Sequence, residues 1–371
     1  MRLASYNVEN LFERAKALNR DTWQDGRAIL EAFAQLNKLL GKDVYTSGDK
    51  TRILTLLEKL GLLETDDAPF VTLRQNRGRL LRRPRTGGVE IVAAGREDWL
   101  GWVELKKTAI NERAAQNTGR VIRDVNADVL AVVEAEDRTA LRRFGDIVLQ
   151  GVGGRPYDHV MLIDGNDERG IDVGICTRAA YPIGQMRSHV DDRDDAGIIF
   201  SRDCPAYCLE TPGGARLWVL VNHLKSKGYG TPQESNARRL RQAARVRAIY
   251  DGLRADGETL VAIVGDFNDT PASAPLEPLM ASDLRDISAH PNFDDGAGGT
   301  RPGTYGNGTA GNKIDYILLS PALFAKATGG GIFRRGVWGG VKGDLWAHYP
   351  EMERAEHAAS DHAAIWADIA L

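Results

Sequence analysis

Seven short apolar runs, rich in β-branched residues, recur along this chain: "RLASYNVEN", "ADVLAVVEAED", "GIDVGICT", "ARLWVLVNHLKSK", "TLVAIVGDFND", "KIDYILLS" and "SDHAAIWADIAL". Their apolar cores are too short for helices, and a run such as Leu260 to Val264, bounded by Gly and Pro, reads as a strand buried on both faces. A helical pattern lies between some of them, notably at 234–254, where Ala237, Leu240, Ala244, Val246 and Ile249 approximate one helix face. Strands interleaved with a few helices predict an α/β (α+β) fold with packed sheets, and no repeat at a solenoid period is present.

With 371 residues, 43% hydrophobic and 27% charged, the chain can bury a large core, as one domain or as a domain carrying an insertion. The stretch from about 15 to 110 breaks the strand pattern. "GRAILEAFAQLNKLL" and "KTRILTLLEKLGLL" read as amphipathic helices, and "FVTLRQNRGRLLRRP" with "GVEIVAAGREDWLGWVEL" as a strand-rich hairpin. The expectation is a single domain over 1–371 with an insertion at 15–118. That insertion holds Arg74, Arg77, Arg79, Arg82, Arg83 and Arg85, the densest basic stretch in the chain. Such a run is more often a solvated face than a phosphate-contacting patch. The glycine-rich stretch 290–312 lacks P-loop spacing and reads as a surface loop over the site.

A formal net charge of −3 gives no global attraction to nucleic acid or to a membrane, so any polyanion contact must come from a local patch. Cys176, Cys204 and Cys208 form no framework of spacings, and no His or Cys cluster accompanies them to suggest zinc. They fit a reducing compartment. The chain opens on strand-like sequence without a leader pattern, and no run of about 18 apolar residues occurs. A cytoplasmic location is expected.

The informative feature is where the apolar runs end. They finish at Asn7, at Glu134, at Asn222 and His223, and at Asp266 and Asn268, while Asp315 interrupts another. Turn chemistry accounts for one such ending but hardly for all. A carboxylate at the end of a buried strand must be paired or metal-bound. The convergence of Glu134, Asp266, Asp315 and Asp361 therefore asks for a cation, and oxygen ligands without cysteine point to Mg²⁺, with Mn²⁺ as a substitute. His362 stands next to Asp361, and a strand carboxylate such as Asp315 can orient an imidazole.

The blocks "SYNVENLF", "VVEAED", "RGIDVGI", "VNHLKSKG", "VGDFNDTP", "KIDYILLS" and "SDHAA" resemble, in set and order, those of the endonuclease/exonuclease/phosphatase (DNase I-like) superfamily. In style they are most similar to its secreted-type bacterial nucleases. They span residues 1–14 and about 120–371, so the insertion stands outside the resemblance. The likeness implies a four-layer α/β/β/α sandwich of two mixed sheets with the site at one edge. It also implies roles: Glu134 as principal metal ligand, Asn7 binding the metal directly or at one remove, and Asp361 on the metal or its waters. Asp266 would be the general base and Asn268 would hold water or phosphate. His362, kept cationic by Asp315, and His223 would contact the phosphate from two sides. Arg169, Asn222 and Lys225 are expected to help bind it.

Attack of water on a phosphodiester builds negative charge that a metal, two imidazoles and an amide donor can stabilise. Three functions remain open on this sequence: a Mg²⁺-dependent nuclease with DNA as its partner, a phosphatase or phosphodiesterase of a small or lipid phosphoester, and a non-catalytic scaffold. The complete set of site residues argues against the scaffold. The acidic stretch "GGVKGDLWAHYPEMERAEH" argues against membrane engagement. Trp338 and Trp346 flank the "SDH" block, more plausibly as structural anchors than as base-stacking platforms.

Overall fold

Successive strand side chains point to opposite faces, and here both faces are dry. On the strand Arg216–His223, Leu217, Val219 and Val221 enter one core cluster while Trp218 and Leu220 enter another. That is why the runs carry no polar alternation. The computed structural model describes residues 1–9, 11, 23–106, 111–167, 169–227 and 231–371. It divides into two compact units, the first comprising 1–12, 110–227 and 231–371, the second 13–109 with 228–230.

Among the described residues the first unit is built on two mixed sheets. The strands of these two sheets are β1 (Arg2–Asn7), β2 (Val129–Ala135), β3 (His159–Ile163), β4 (Asp172–Thr177), β5 (Ile183–Arg187), β6 (Ala206–Glu210), β7 (Arg216–His223), β8 (Val261–Asp266), β9 (Arg285–Asp286), β10 (Phe293–Asp294), β11 (Asp315–Leu319), β12 (Ala327–Phe333) and β13 (Ala364–Ile369). One sheet runs β10-β12-β13-β1-β2-β4-β3 and the other β9-β11-β8-β7-β6-β5. Leu3, Ala131, Val133 and Ile175 from the first meet Val219, Val221, Val264 and Ile317 from the second in a core closed to water. The opposite face of the first sheet packs Val121, Ile122 and Val125 of helix Glu112–Val125. The outer face of the second packs Ala243, Val246, Tyr250 and Leu253 of helix Pro232–Ala255. The long helix starts at a Thr231/Glu234 capping box with Pro232 inside its first turn, which satisfies orphan N–H groups where the chain turns. Four layers result, α/β/β/α, the architecture read from the sequence.

The second unit has its own core. Helices Trp23–Leu40 and Ser47–Lys59 and the antiparallel pair Val71–Arg77 with Leu100–Leu105 bury Phe33, Leu36, Leu40, Ile53, Leu56, Leu57, Leu73, Trp99 and Val103. Trp99 Nε1 donates to Tyr45 Oη at 3.0 Å, and Tyr45 Oη donates to the Leu40 carbonyl at 2.7 Å. The boundary drawn at 118 lies too far along the chain. Residue 118 falls inside helix Glu112–Val125, where Thr118 donates to the Ala359 carbonyl of the first unit, so the second unit ends at Ala109. No helix among the described residues is long and apolar enough to cross a membrane, and all three cysteines are buried and free.

The parallel pairing of β7 with β8 sets Asn222 opposite Gly265 and His223 opposite Asp266. Gly265 has φ +130°, and a Cβ added there would lie 1.9 Å from the Asn222 carbonyl oxygen. Gly265→Ala is therefore expected to cost about 3 kcal/mol or more, from backbone strain and overpacking together. A thermal melt checks this, and a variant within about 1 kcal/mol of wild type would show that the two strands tolerate separation.

Candidate active site

The inward parity of four strands delivers four polar side chains to the same edge of the sandwich. Leu217, Val219 and Val221 face the inter-sheet core, so His223 faces it too. By the same count Ala262 and Val264 lead to Asp266, Leu319 and Ile317 lead to Asp315, and Leu3 leads through Ser5 to Asn7. Asn7, His223, Asp266 and Asp315 are all buried.

Glu134 reaches the same place by a different route. The pairing of β2 with β4 shifts between Val133 and Ala135, and Ala135 rejoins the outer face with Leu130 and Val132. The bulge residue, Glu134, takes the inward position at φ +66°. A left-handed conformation is unfavourable for a long side chain and marks a bulge that re-aims it. Glu9 and Asn268 also have positive φ, 53° and 55°, so three of the four such non-glycine residues among those described lie at this edge.

Around Asp266 the groups close up. The Asn7 amide donates from Nδ2 to Glu134 Oε1 and to Asp266 Oδ2, both at 3.3 Å. His223 Nε2 stands 3.6 Å from Glu134 Oε1 and 3.7 Å from Asp266 Oδ2. His362 Nε2 is 3.9 Å from the same Asp266 oxygen and 3.8 Å from Asp361 Oδ1. Asp266 Oδ1 accepts the Asn268 N–H at 2.7 Å, and Asn268 Nδ2 donates to the Leu224 carbonyl at 3.2 Å. Two imidazoles thus flank one carboxylate.

The imidazoles differ in charge. Burial, reinforced by Arg202 and Arg169, holds His223 well below its ordinary value and therefore neutral. Burial would lower His362 as well, but Asp315, through its charge and its hydrogen bond, together with Asp361 and Asp266, raises it well above 6.5. His362 Nδ1 lies 2.8 Å from Asp315 Oδ2, which also accepts from Thr304 Oγ1 at 2.5 Å. Ser360 Oγ accepts the His362 N–H and donates to the Asn7 carbonyl. The Tyr305 ring sits 4.9 Å from the imidazole. The glycine-rich stretch thus contributes Thr304 and Tyr305 directly, which the sequence did not reveal.

The remaining expected residues divide. Asp361 lies at the rim with a 43% exposed side chain, its N–H donating to Glu9 Oε2 at 3.1 Å. Arg169 is tied to Asp167 at 2.7 Å on the His223 side, where Lys225 is half-buried two residues beyond His223. Asn222 is the correction. Strand parity turns it away from His223 toward Cys204 and the outer core, and its Nδ2 donates to the Leu220 carbonyl at 3.2 Å. In the second unit Arg74 pairs with Glu104, Arg82 with Glu90 and Arg83 with Asp66, so half of the arginine run is neutralised by its own neighbours. Trp346 donates to the Val337 carbonyl at 2.9 Å, an anchoring role.

Asp266, Asp315 and His362 bring ligand-type atoms within 4.8 Å of one another. Asp315 Oδ2 is already shared by Thr304 and His362, so in this structure the trio is joined by hydrogen bonds and ion pairs. Glu134 suits a cation better. Its carboxylate is 20% exposed and its donors are oxygen, while burial foremost, with repulsion from Asp315 and Glu134 added, pushes the Asp266 carboxyl upward. A hard divalent cation needs only one or two carboxylates plus water and phosphate oxygens.

The model of the Endonuclease/Exonuclease/phosphatase family matches residues 105–362, and the chain belongs to that family. It is a metal-dependent hydrolase of phosphoester bonds. Among solved structures, the mannosyl-6-phosphatase of Bacteroides thetaiotaomicron superposes with a TM-score of 0.51 at 14% identity, covering 70% of this chain and 92% of its own. An endonuclease/exonuclease/phosphatase of Bacteroides vulgatus gives 0.50 at 16%, covering 71% and 92%. At these identities the likeness is one of fold. No curated protein sequence matches the chain.

A group whose folded pKa is raised stabilises the fold fully below its unfolded value, near 6.5 for histidine, and loses that contribution as pH rises through the folded value. The His362–Asp315 pair is therefore expected to hold His362 protonated above pH 7. Asp315→Asn should drop its midpoint below 6.5, because burial then prevails. Imidazole NMR titration of the metal-free protein reads this, and an unchanged midpoint would show that Asp315 does not set the charge.

Proposed function

We propose that this chain is a Mg²⁺-dependent phosphodiester hydrolase, with Mn²⁺ able to substitute, and that its substrate is nucleic acid, DNA foremost. The observation that carries the reading is Asp266, a buried carboxylate flanked by a neutral and a cationic imidazole, with Glu134 beside it. Glu134 would hold the cation, with Asn7 orienting it through the amide and Asp361 ordering water at the rim. A cation bound there supplies neutralisation of the phosphate charge.

Asp266 accepts the proton of the attacking water, and Asn268, fixed through its own N–H, positions that water or the phosphate. His362 donates from Nε2 to a phosphate oxygen, with Asp315 holding the imidazole cationic from behind. His223, neutral, donates from the other side, where Arg169 and Lys225 add positive charge. No covalent nucleophile enters this scheme. Charge develops on the phosphate oxygens in the transition state, and donors already aimed at them incur little reorganisation.

A small phosphoester is the second reading. It is supported by the pairing of Arg74, Arg82 and Arg83 with local acids, which weakens the case for a basic surface tracking a long polyanion. With Mg²⁺, supercoiled plasmid should be nicked, EDTA should abolish nicking, and Asp266→Asn should reduce the rate by roughly 10²- to 10⁴-fold. Intact plasmid with Asp266-dependent release of p-nitrophenol from p-nitrophenyl phosphate would select the second reading. Calorimetry offers an activity-free check, since Glu134→Gln should weaken Mn²⁺ binding at least about tenfold. Unchanged binding would remove Glu134 from the cation's ligands.

A further inference from the structure

The glycine-rich stretch delivers Thr304 and Tyr305 to the site from a loop, and one buried side chain holds that loop in shape. Arg334 follows β12 directly. Phe333 pairs with Ala364 at the start of β13, so Arg334 stands at the same edge of the sandwich as His362. It is 3% exposed. Its Nε donates to the Asp295 carbonyl at 2.7 Å, and its Nη2 donates to the carbonyls of Arg301 and of Gly303, the latter at 2.9 Å. The Trp346 ring covers the guanidinium, with its centroid 5.0 Å from Cζ. Burial lowers the guanidinium to about 10, with Asp295 and Asp294 acting in its favour and Arg301 against it. It therefore stays charged at neutral pH.

The loop is shaped to receive this cation. Asp295 accepts the Ala297 and Gly299 N–H groups at Oδ1 and the Arg301 N–H at Oδ2, each at 2.8 Å. Gly308 has φ +67°, and a Cβ there would lie 2.8 Å from Arg334 Nη1. Beyond Gly303 the chain runs against the segment that bears His362. The Ala363 N–H donates to the Thr304 carbonyl at 2.7 Å, the Gly306 N–H donates to the Asp361 carbonyl at 2.8 Å, and Tyr305 bridges to His362. Arg334 thus fixes the residue just before the two that hold Asp315 and cover the imidazole. Hydrogen bonds from a charged donor are stronger than neutral ones, and buried carbonyls that lose their donor carry a desolvation penalty. Without the guanidinium, the loop conformation that presents Thr304 and Tyr305 is no longer the favoured one.

We propose that Arg334 is a positioning residue for hydrolysis: its guanidinium is the template on which the glycine-rich loop closes, and it acts on the reaction through Thr304 and Tyr305, which fix the His362 imidazole. This rests on the reading of His362 as the imidazole that donates to the phosphate. Arg334 touches none of the reacting groups.

Hydrogen exchange and NMR on the intact, metal-free protein test this without turnover. In Arg334→Gln the amides of Gly306 and Ala363 should lose at least about tenfold more protection than those of Val219 and Val264 inside the sheet. The His362 Nδ1 proton, bonded to Asp315 beside the Tyr305 ring, should exchange faster with water. Arg334→Lys, which keeps the charge and one or two of the donors, should restore part of both. Gly308→Ala, which crowds the guanidinium without removing it, should reproduce the pattern and serves if Arg334→Gln does not fold. In turnover, Arg334→Gln should lower kcat at least about tenfold alone but less than about threefold beside His362→Ala, because a residue acting through His362 then has nothing left to position. Equal loss of protection at all four amides, an unchanged exchange rate of the His362 proton, or equal losses of kcat in the two backgrounds overturns the proposal. Failed hydrolysis by the wild-type protein would refute the functional reading and leave the exchange measurements to decide the role of Arg334.

Discussion

Asp266 and Asp315 face each other across one antiparallel rung of β8 and β11, both within 2% of complete burial. Two buried carboxylates side by side repel, and in a low dielectric a cation at hand offsets part of that repulsion. His362 supplies it, paired directly with Asp315 and facing Asp266. Its own position depends on Ser360 and on the backbone bridge to Tyr305. The network spans both sheets, since His362 precedes β13 in one while Asp315 and Asp266 lie in the other.

That arrangement follows from strand parity carried to the end of each strand. An inward-facing position is apolar while the opposing sheet covers it and becomes polar where the cover ends. Sheet-sheet packing therefore places Asn7, His223, Asp266 and Asp315, and loops add Asn268, Thr304, Tyr305 and His362 around them. Where parity alone would misdirect a side chain, as at Glu134, a bulge in the left-handed region turns it inward. Strain of this kind, repeated at Glu9 and Asn268, persists because the surrounding strands fix the backbone. The cost in stability is exchanged for side chains held in place before substrate arrives.

Much of this was legible in the sequence, for a local reason. Strand runs and their polar ends lie within a few residues of each other, so "LVAIVGDFN" and "LWVLVNH" disclose both the strand and its functional terminus. The misassignment of Asn222 was avoidable: Val221 and His223 share a face, and the intervening residue must face away. Glu9, Thr304, Ser360 and Arg202 were not legible, because each acts through a partner remote in sequence or through a loop whose path no periodicity records. Thr304, for instance, meets Asp315 across a turn of glycine-rich chain. The arginine run reads first as a solvated face, and half of it is paired locally, since Glu104, Glu90 and Asp66 neutralise Arg74, Arg82 and Arg83 through strand pairing and loop contacts that only the folded unit reveals. The end of the insertion was not legible, because helix Glu112–Val125 lies outside the sequence blocks of the resemblance yet packs on the main sheet.

We propose a division of labour in which Glu134 takes the cation, while Asp315 and His362 form an ion pair that leaves Asp266 free to accept a proton. Anomalous diffraction from a crystal grown with Mn²⁺ tests it most directly. The account predicts a single strong peak at about 2.2 Å from a Glu134 carboxylate oxygen, with the His362–Asp315 hydrogen bond intact. A peak among Asp266, Asp315 and His362, with that hydrogen bond broken, would contradict it.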